Sequence, residues 1–193
     1  MGDVDLILAG VAGGGDASAS VAWFAPVGTP LPASASDDLD DAFLDAGWCS
    51  PEDGLTRGAA ETAVDIHRLG SAQPVNHVIT DVAVRFDLTL LETNDVTQAV
   101  YHRRPLGSVD ADNTGSRVVA EGEPRRATYA LVIEVVDGDN LLRGVAPMVR
   151  VTTRRDIAIK PTGAIAYGVT LTAYPTADAD AVTWYTTQPA LAA

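Results

Sequence analysis

The chain has 193 residues, which suits one domain, and 47% of them are hydrophobic, weighted toward alanine with few aromatics. Its 26 acids against 13 bases give a formal net charge of −13, which argues against a nucleic-acid-binding surface. One cysteine, Cys49, excludes an intrachain disulfide and fits assembly in a reducing cytoplasm.

The apolar runs are too short to span a bilayer, so no membrane partner is expected. Asp3 and Asp5 stand where a signal peptide needs bases. The charge is uneven. The first 56 residues hold ten acids and no base, and nothing after Lys160 is basic. With so few large side chains the core is expected to be thin, as in a two-sheet sandwich.

In chain order, Val4 to Val11 reads as a short strand, and the glycines and small residues after it read as a flexible arm over residues 1–22. Pro26, Gly28, Pro30 and Pro32 break helix and set an extended path. Ser36 then reads as the N-cap of a short acidic helix through Asp37 and Asp38, with Leu39 and Phe43 on its apolar side and Gly47 as its end. From Gly54 to Asn76 the pattern is weak. Glu61 to His67 alternates enough for a strand, but the segment as a whole reads as a long loop.

The clearest strand runs from Asp81 to Glu92. Val82, Val84, Phe86, Leu88 and Leu90 share one face, and Ala83, Arg85, Asp87 and Thr89 share the other. Asn94 or Asp95 caps a helix that ends before Pro105. The second half reads almost wholly as strand: Arg117 to Ala120, Thr128 to Val136, Val145 to Arg155 and Ile165 to Tyr174. Asp137-Gly138-Asp139-Asn140 is a hairpin turn signal. After Pro175 comes an arm over 175–193, whose Trp184-Tyr185 pair is expected to dock on this chain or on a neighbour.

No constellation supports catalysis. His67, His77 and His102 show no metal-ligand spacing with Cys49, no serine lies in a nucleophile elbow, and Gly13-Gly14-Gly15 lacks the lysine of a phosphate loop. The chain is therefore read as a non-enzyme without cofactors. One near-match to a calcium loop, Asp110, Asp112, Thr114 and Glu121, lacks the flanking helices, and its neighbours favour a solvated hairpin loop. The pairs Arg125-Arg126 and Arg154-Arg155 are too few for a nucleic-acid patch. They read either as ordinary solvated positions or as bases meeting acids across a subunit boundary, and the crowding of acids in the N-terminal third and bases in the middle favours the second.

Several segments carry a family likeness: Trp23 to Pro32, Ala46-Gly47-Trp48-Cys49-Ser50, Glu52-Asp53-Gly54-Leu55-Thr56, Phe86 to Asn94, and Tyr167 to Tyr174. In this order they resemble the major tail tube protein of long, non-contractile-tailed phages, notably those of high-GC Gram-positive hosts. The chain departs from that pattern at Cys49, where the family often has an aromatic, and at His67, near where it has a Trp.

The resemblance implies a mainly β sandwich or barrel with one short flanking helix. It also implies hexameric rings whose inner sheets join into one barrel and stack into a hollow tube through loops and arms, with residues 54–76 between rings. Implied partners are further copies of the chain, the tape measure protein, the tail terminator and distal tail proteins. DNA passes through a lumen that repels it. Lumen candidates are Arg85, Asp87, Thr89, Thr170 and Thr172. Subunit-contact candidates are Trp23, Trp48, Glu52, Asp53, Arg57, Arg125, Arg126, Arg154, Arg155, Trp184 and Tyr185. The competing readings are a glycan-binding sandwich that presents a tryptophan platform, and another virion part such as a tail terminator ring or a capsid cement protein.

Overall fold

The computed structural model describes residues 20–111, 117–119, 121–122, 126–138 and 140–187. The first arm through residue 19, Asp112, Thr114, Arg125 and the end of the C-terminal arm lie outside these. The elements in chain order are β1 (Ala22–Pro26), β2 (Leu44–Asp45), β3 (Leu55–His67), β4 (Pro74–Leu90), α1 (Asp95–Tyr101), β5 (Asp110–Ala111), β6 (Arg117–Val118), β7 (Tyr129–Asp137), β8 (Asn140–Arg154), β9 (Tyr167–Tyr174) and β10 (Thr183–Thr187).

The mainly β expectation, with one helix, is met. Eight of the ten strands form one continuous antiparallel sheet, ordered β2-β1-β7-β8-β9-β4-β3, with β10 also paired to β8, while β5 and β6 pair separately. The larger sheet curls on itself, as the barrel form of the expected sandwich or barrel does. Phe24 of β1 and Phe86 of β4 lie in the same core cluster, although three strands separate β1 from β4 in the sheet order. The long strand β8 makes this possible. Its first half pairs with β7 and β10, and its second half pairs with β9 after register shifts near Leu131 and at Val151/Thr153. Bulges of this kind bend a strand and raise its twist.

The core fills the concave side. Phe24, Phe86, Leu88, Leu90, Leu131, Ile133, Val149 and Leu171 are almost wholly buried there. Burial of each such side chain contributes about 1.5–3 kcal/mol. The Asn94 side chain accepts from the Thr97 N–H at 2.8 Å and caps α1, which closes the core through Val96, Val100 and Tyr101. Tyr129 stands edge-on to Phe24 and donates its hydroxyl to the Arg104 carbonyl at 2.6 Å, so the buried phenol ties the helix exit to the sheet.

The helix expected after Ser36 does not form. Asp37 instead accepts from the Ser34 hydroxyl at 2.5 Å and from the Ala33 N–H at 2.8 Å, which closes a local turn and holds its carboxyl below the usual range. Five aspartates between residues 37 and 45 are poor helix formers that prefer such local bonds. Leu39 and Phe43 still face inward. They pack on the convex side of the sheet with Ala25, Ala130, Val132 and Val145.

The segment expected as a loop over 54–76 is mostly strand. Leu55–His67 pairs with β4 along its whole length, with shifts at Thr62/Ala63 and Ile66/His67. Beyond Val84, β4 has left β9, so β3 and β4 project as a two-stranded ribbon. Both faces of the ribbon meet solvent. No buried face imposes an alternation along the ribbon, and the sequence shows one only from Glu61 to His67.

Candidate assembly surfaces

Three features of the sheet are open to other molecules: its edges, the ribbon, and the uncovered half of its convex face. Among the described residues, the outer edge of β3 pairs with no strand. An edge left with free N–H and C=O groups is a template for a further strand. The opposite edge is the two-residue β2, whose Leu44 and Asp45 are both exposed.

The ribbon presents Val64, Ile66, Leu69, Val75, Val78, Ile79 and Val82 to solvent, with Leu69 fully exposed near its tip. So many large aliphatics on one projecting element exceed the scattered apolar exposure of an ordinary surface. His77 Nδ1 lies 2.7 Å from Asp65 Oδ1 across the two strands, at an exposed position.

The convex face has two halves. Residues 27–43 run beside β1, β7 and the start of β8, with Leu31, Leu39 and Phe43 packed against them. Arg143 holds this stretch down. It is 5% exposed, pairs with Glu134 of β7, and donates to the carbonyls of Ser34 and Asp37 at 2.9 and 2.7 Å. Nothing in the sequence pattern marked this pair, because both residues read as ordinary solvated charges.

The other half, on β8, β9 and β4, is polar. Arg85, Thr172 and Arg150 form one cross-strand row, and Asp87 stands opposite Thr170 in the next. Thr170 donates to Asp87 at 2.5 Å. Arg150 lies over the Tyr174 ring at 5.4 Å. Among the described residues no carboxylate pairs with Arg85 or Arg150, so this half carries charges of both signs.

Two lumen candidates are not open to solvent in the isolated chain. Thr89 is buried beneath Arg155, which donates to its hydroxyl at 3.3 Å, and Thr172 is buried against the Thr152 hydroxyl at 3.2 Å. Arg85 is exposed, and Asp87 and Thr170 are half-buried.

The subunit-contact candidates divide in the same way. Arg154 and Arg155 already meet acids of their own chain, Glu121 at 3.5 Å and Asp53 at 3.3 Å. Arg154 also lies 5.3 Å over the Tyr101 ring. Trp184 and Tyr185 belong to β10 and dock on this chain. Trp184 covers Gly144 and reaches Phe86, while Tyr185 packs on the convex cluster with Trp23. Trp48 stays exposed, as do Glu52, Asp53, Arg57 and Arg126. The tryptophan platform of a glycan-binding module does not form, since Trp23 and Trp184 pack against separate clusters on opposite sides of the sheet.

Of the calcium-loop candidates, Asp110 lies in β5, and Glu121 faces His102 at 2.9 Å as well as Arg154. A carboxylate between two nitrogen donors is poorly disposed to bind a cation. Cys49 is half-buried, and its desolvation pushes the thiol up to about 11, with the Asp45 charge adding to the effect. A thiol so shifted is a poor nucleophile at neutral pH. No helix is long and apolar enough to cross a membrane among the described residues.

Continuous antiparallel pairing, open edges and a projecting apolar ribbon leave several surfaces of the chain uncovered. The chain belongs to the phage tail tube protein family, which matches residues 16–193. That family is structural, not enzymatic, and places the protein in the virion, in the phage tail. Among solved structures, the chain is similar to one in the virion of a native gene transfer agent particle, at 11% identity and a TM-score of 0.40, covering 78% of this chain and 92% of that one. No curated protein matches.

Proposed function

We propose that this protein polymerises into hexameric rings which stack into the hollow tube of a long, non-contractile phage tail, through which DNA is ejected into the host. The observation that carries the reading is the sheet with β3 free along one side and the β3–β4 ribbon extending past the core. In a ring, β3 of one copy meets the β2–β1 edge of the next, and the sheets join into one wall. The ribbon's exposed aliphatics pack against the adjacent ring.

The polar half-face around Asp87 and Thr170 lines the lumen. Its hydroxyls offer DNA no adhesive patch, and the net charge of −13 repels phosphate at longer range. The tape measure protein occupies the lumen before ejection, and the tail terminator and distal tail proteins close the two ends.

The test is negative-stain electron microscopy of the concentrated protein together with its solution mass. Hollow tubes or stacked rings support the reading. A protein that forms single rings and never stacks fits a terminator instead.

A further inference from the structure

We infer that Arg85 and Arg150 receive the acidic turn around Asp38 and Asp41 of a second copy of this chain, so that neighbouring subunits are held by a contact between two different patches. The inference rests on the self-assembling reading above and specifies one of its contacts.

The two patches share the convex side of the sheet. Arg85 and Arg150 flank Thr172 in one register row. Arg150 lies over the Tyr174 ring at 5.4 Å, a contact that restrains its guanidinium. Its Nε is buried without a hydrogen bond. Neither arginine has an ion pair among the described residues, whereas Arg143, Arg154 and Arg155 all do. On the other half of the same side, Asp38 and Asp41 are exposed, and among the described residues neither has a hydrogen-bond or ion-pair partner. Arg143 pins the backbone of this turn through the Ser34 and Asp37 carbonyls, so its carboxylates are presented on a fixed support.

Topology then places the patches together between copies. Arg85 is on β4, one strand in from the free β3 edge, and the acidic turn leads directly into β2 at the opposite edge. Joining the β3 edge of one copy to the β2 edge of the next keeps the two convex sides continuous. The turn of the second copy then lies beside the arginine row of the first. A contact between unlike patches repeats head to tail and closes into a ring or runs on as a helix. Opposed charges fix the register of that contact and suppress wrong pairings. DNA is the weaker occupant, because two arginines next to Asp87 on a strongly acidic protein make a poor phosphate track.

The experiment compares the critical concentration for sedimentable polymer in the wild type, R85E/R150E, D38K/D41K and the fourfold charge swap, with monomer melting temperature as the folding control. Each one-sided variant is expected to raise the critical concentration about tenfold or more, the swap to recover most of the loss, and added salt to weaken wild-type assembly. Should R85E/R150E misfold, D38K/D41K on its exposed turn still decides the matter. Either one-sided variant assembling at the wild-type concentration overturns the inference and leaves the tube reading intact. Short duplex DNA bound by the wild type and released by R85E/R150E, with no recovery of assembly in the swap, overturns it in favour of a phosphate site. A wild type that never leaves the monomer removes the tube reading and this contact together.

Discussion

Arg143 and Glu134 face each other across β7 and β8, with the guanidinium 2.5 Å from the carboxylate and both side chains largely buried. The pair also anchors the turn at Ser34 and Asp37, so it connects the sheet to the acidic loop. Removing one partner leaves a buried charge uncompensated. We expect Glu134→Ala or Arg143→Ala to cost about 3–5 kcal/mol, and R143M/E134L to cost much less. Urea denaturation of the monomer measures both. Equal losses in the single and double variants would refute this assignment.

Gly144 lies under the Trp184 ring, and a Cβ there would stand 2.8 Å from it. Gly144→Ala therefore displaces Trp184 and loosens β10 from β8, at a cost of about 1–3 kcal/mol. Tryptophan emission should shift toward that of exposed indole. An unchanged spectrum and melting temperature would show that the ring has room to move.

Burial holds Cys49 neutral, with its thiol raised from 9.0 to about 11. The folded state thus binds this proton more tightly than the unfolded state. The associated stability is fully present below pH about 9 and is lost as pH rises through about 11. The difference in unfolding free energy between wild type and Cys49→Ala should shrink across that window. Labelling by a thiol reagent at pH 8 should be slow in the native protein and fast in urea. Rapid native labelling would contradict the burial argument.

Ile66, Leu69 and Val75 sit at the free end of the ribbon and stabilise little in the isolated chain. Replacing all three by serine should leave monomer stability within about 0.5 kcal/mol per site. Polymer formation should be lost. Tubes of normal length from this variant would show that stacking uses another surface.

Much of the fold was legible where one face of an element is buried. The alternation through Phe86, Leu88 and Leu90, the Asn94 cap, and the turn before Asn140 all name their elements directly. Legibility failed where tertiary contacts decide. The turn after Ser36 has the residues of a helix start, but side-chain bonds at Asp37 and packing of Phe43 on the sheet override it. Between Leu55 and His67 the alternation is confined to Glu61 to His67, and past Ala59 both faces of the ribbon are wet in the single chain, so no buried face marks the strand. The arginines were the hardest to read. Arg154 and Arg155 found acids on their own chain, and Arg143 was buried, while Arg85 and Arg150 were left facing outward. Only the register of β4, β9 and β8 brings those two into one row.

The measurement that bears most directly on the account is a helical reconstruction of tubes grown from the purified protein. The account predicts β3 of each subunit hydrogen-bonded to the β2–β1 edge of its neighbour, with the ribbon of each ring seated on the next. Subunits whose β3 edges face solvent, joined through other surfaces, would contradict it.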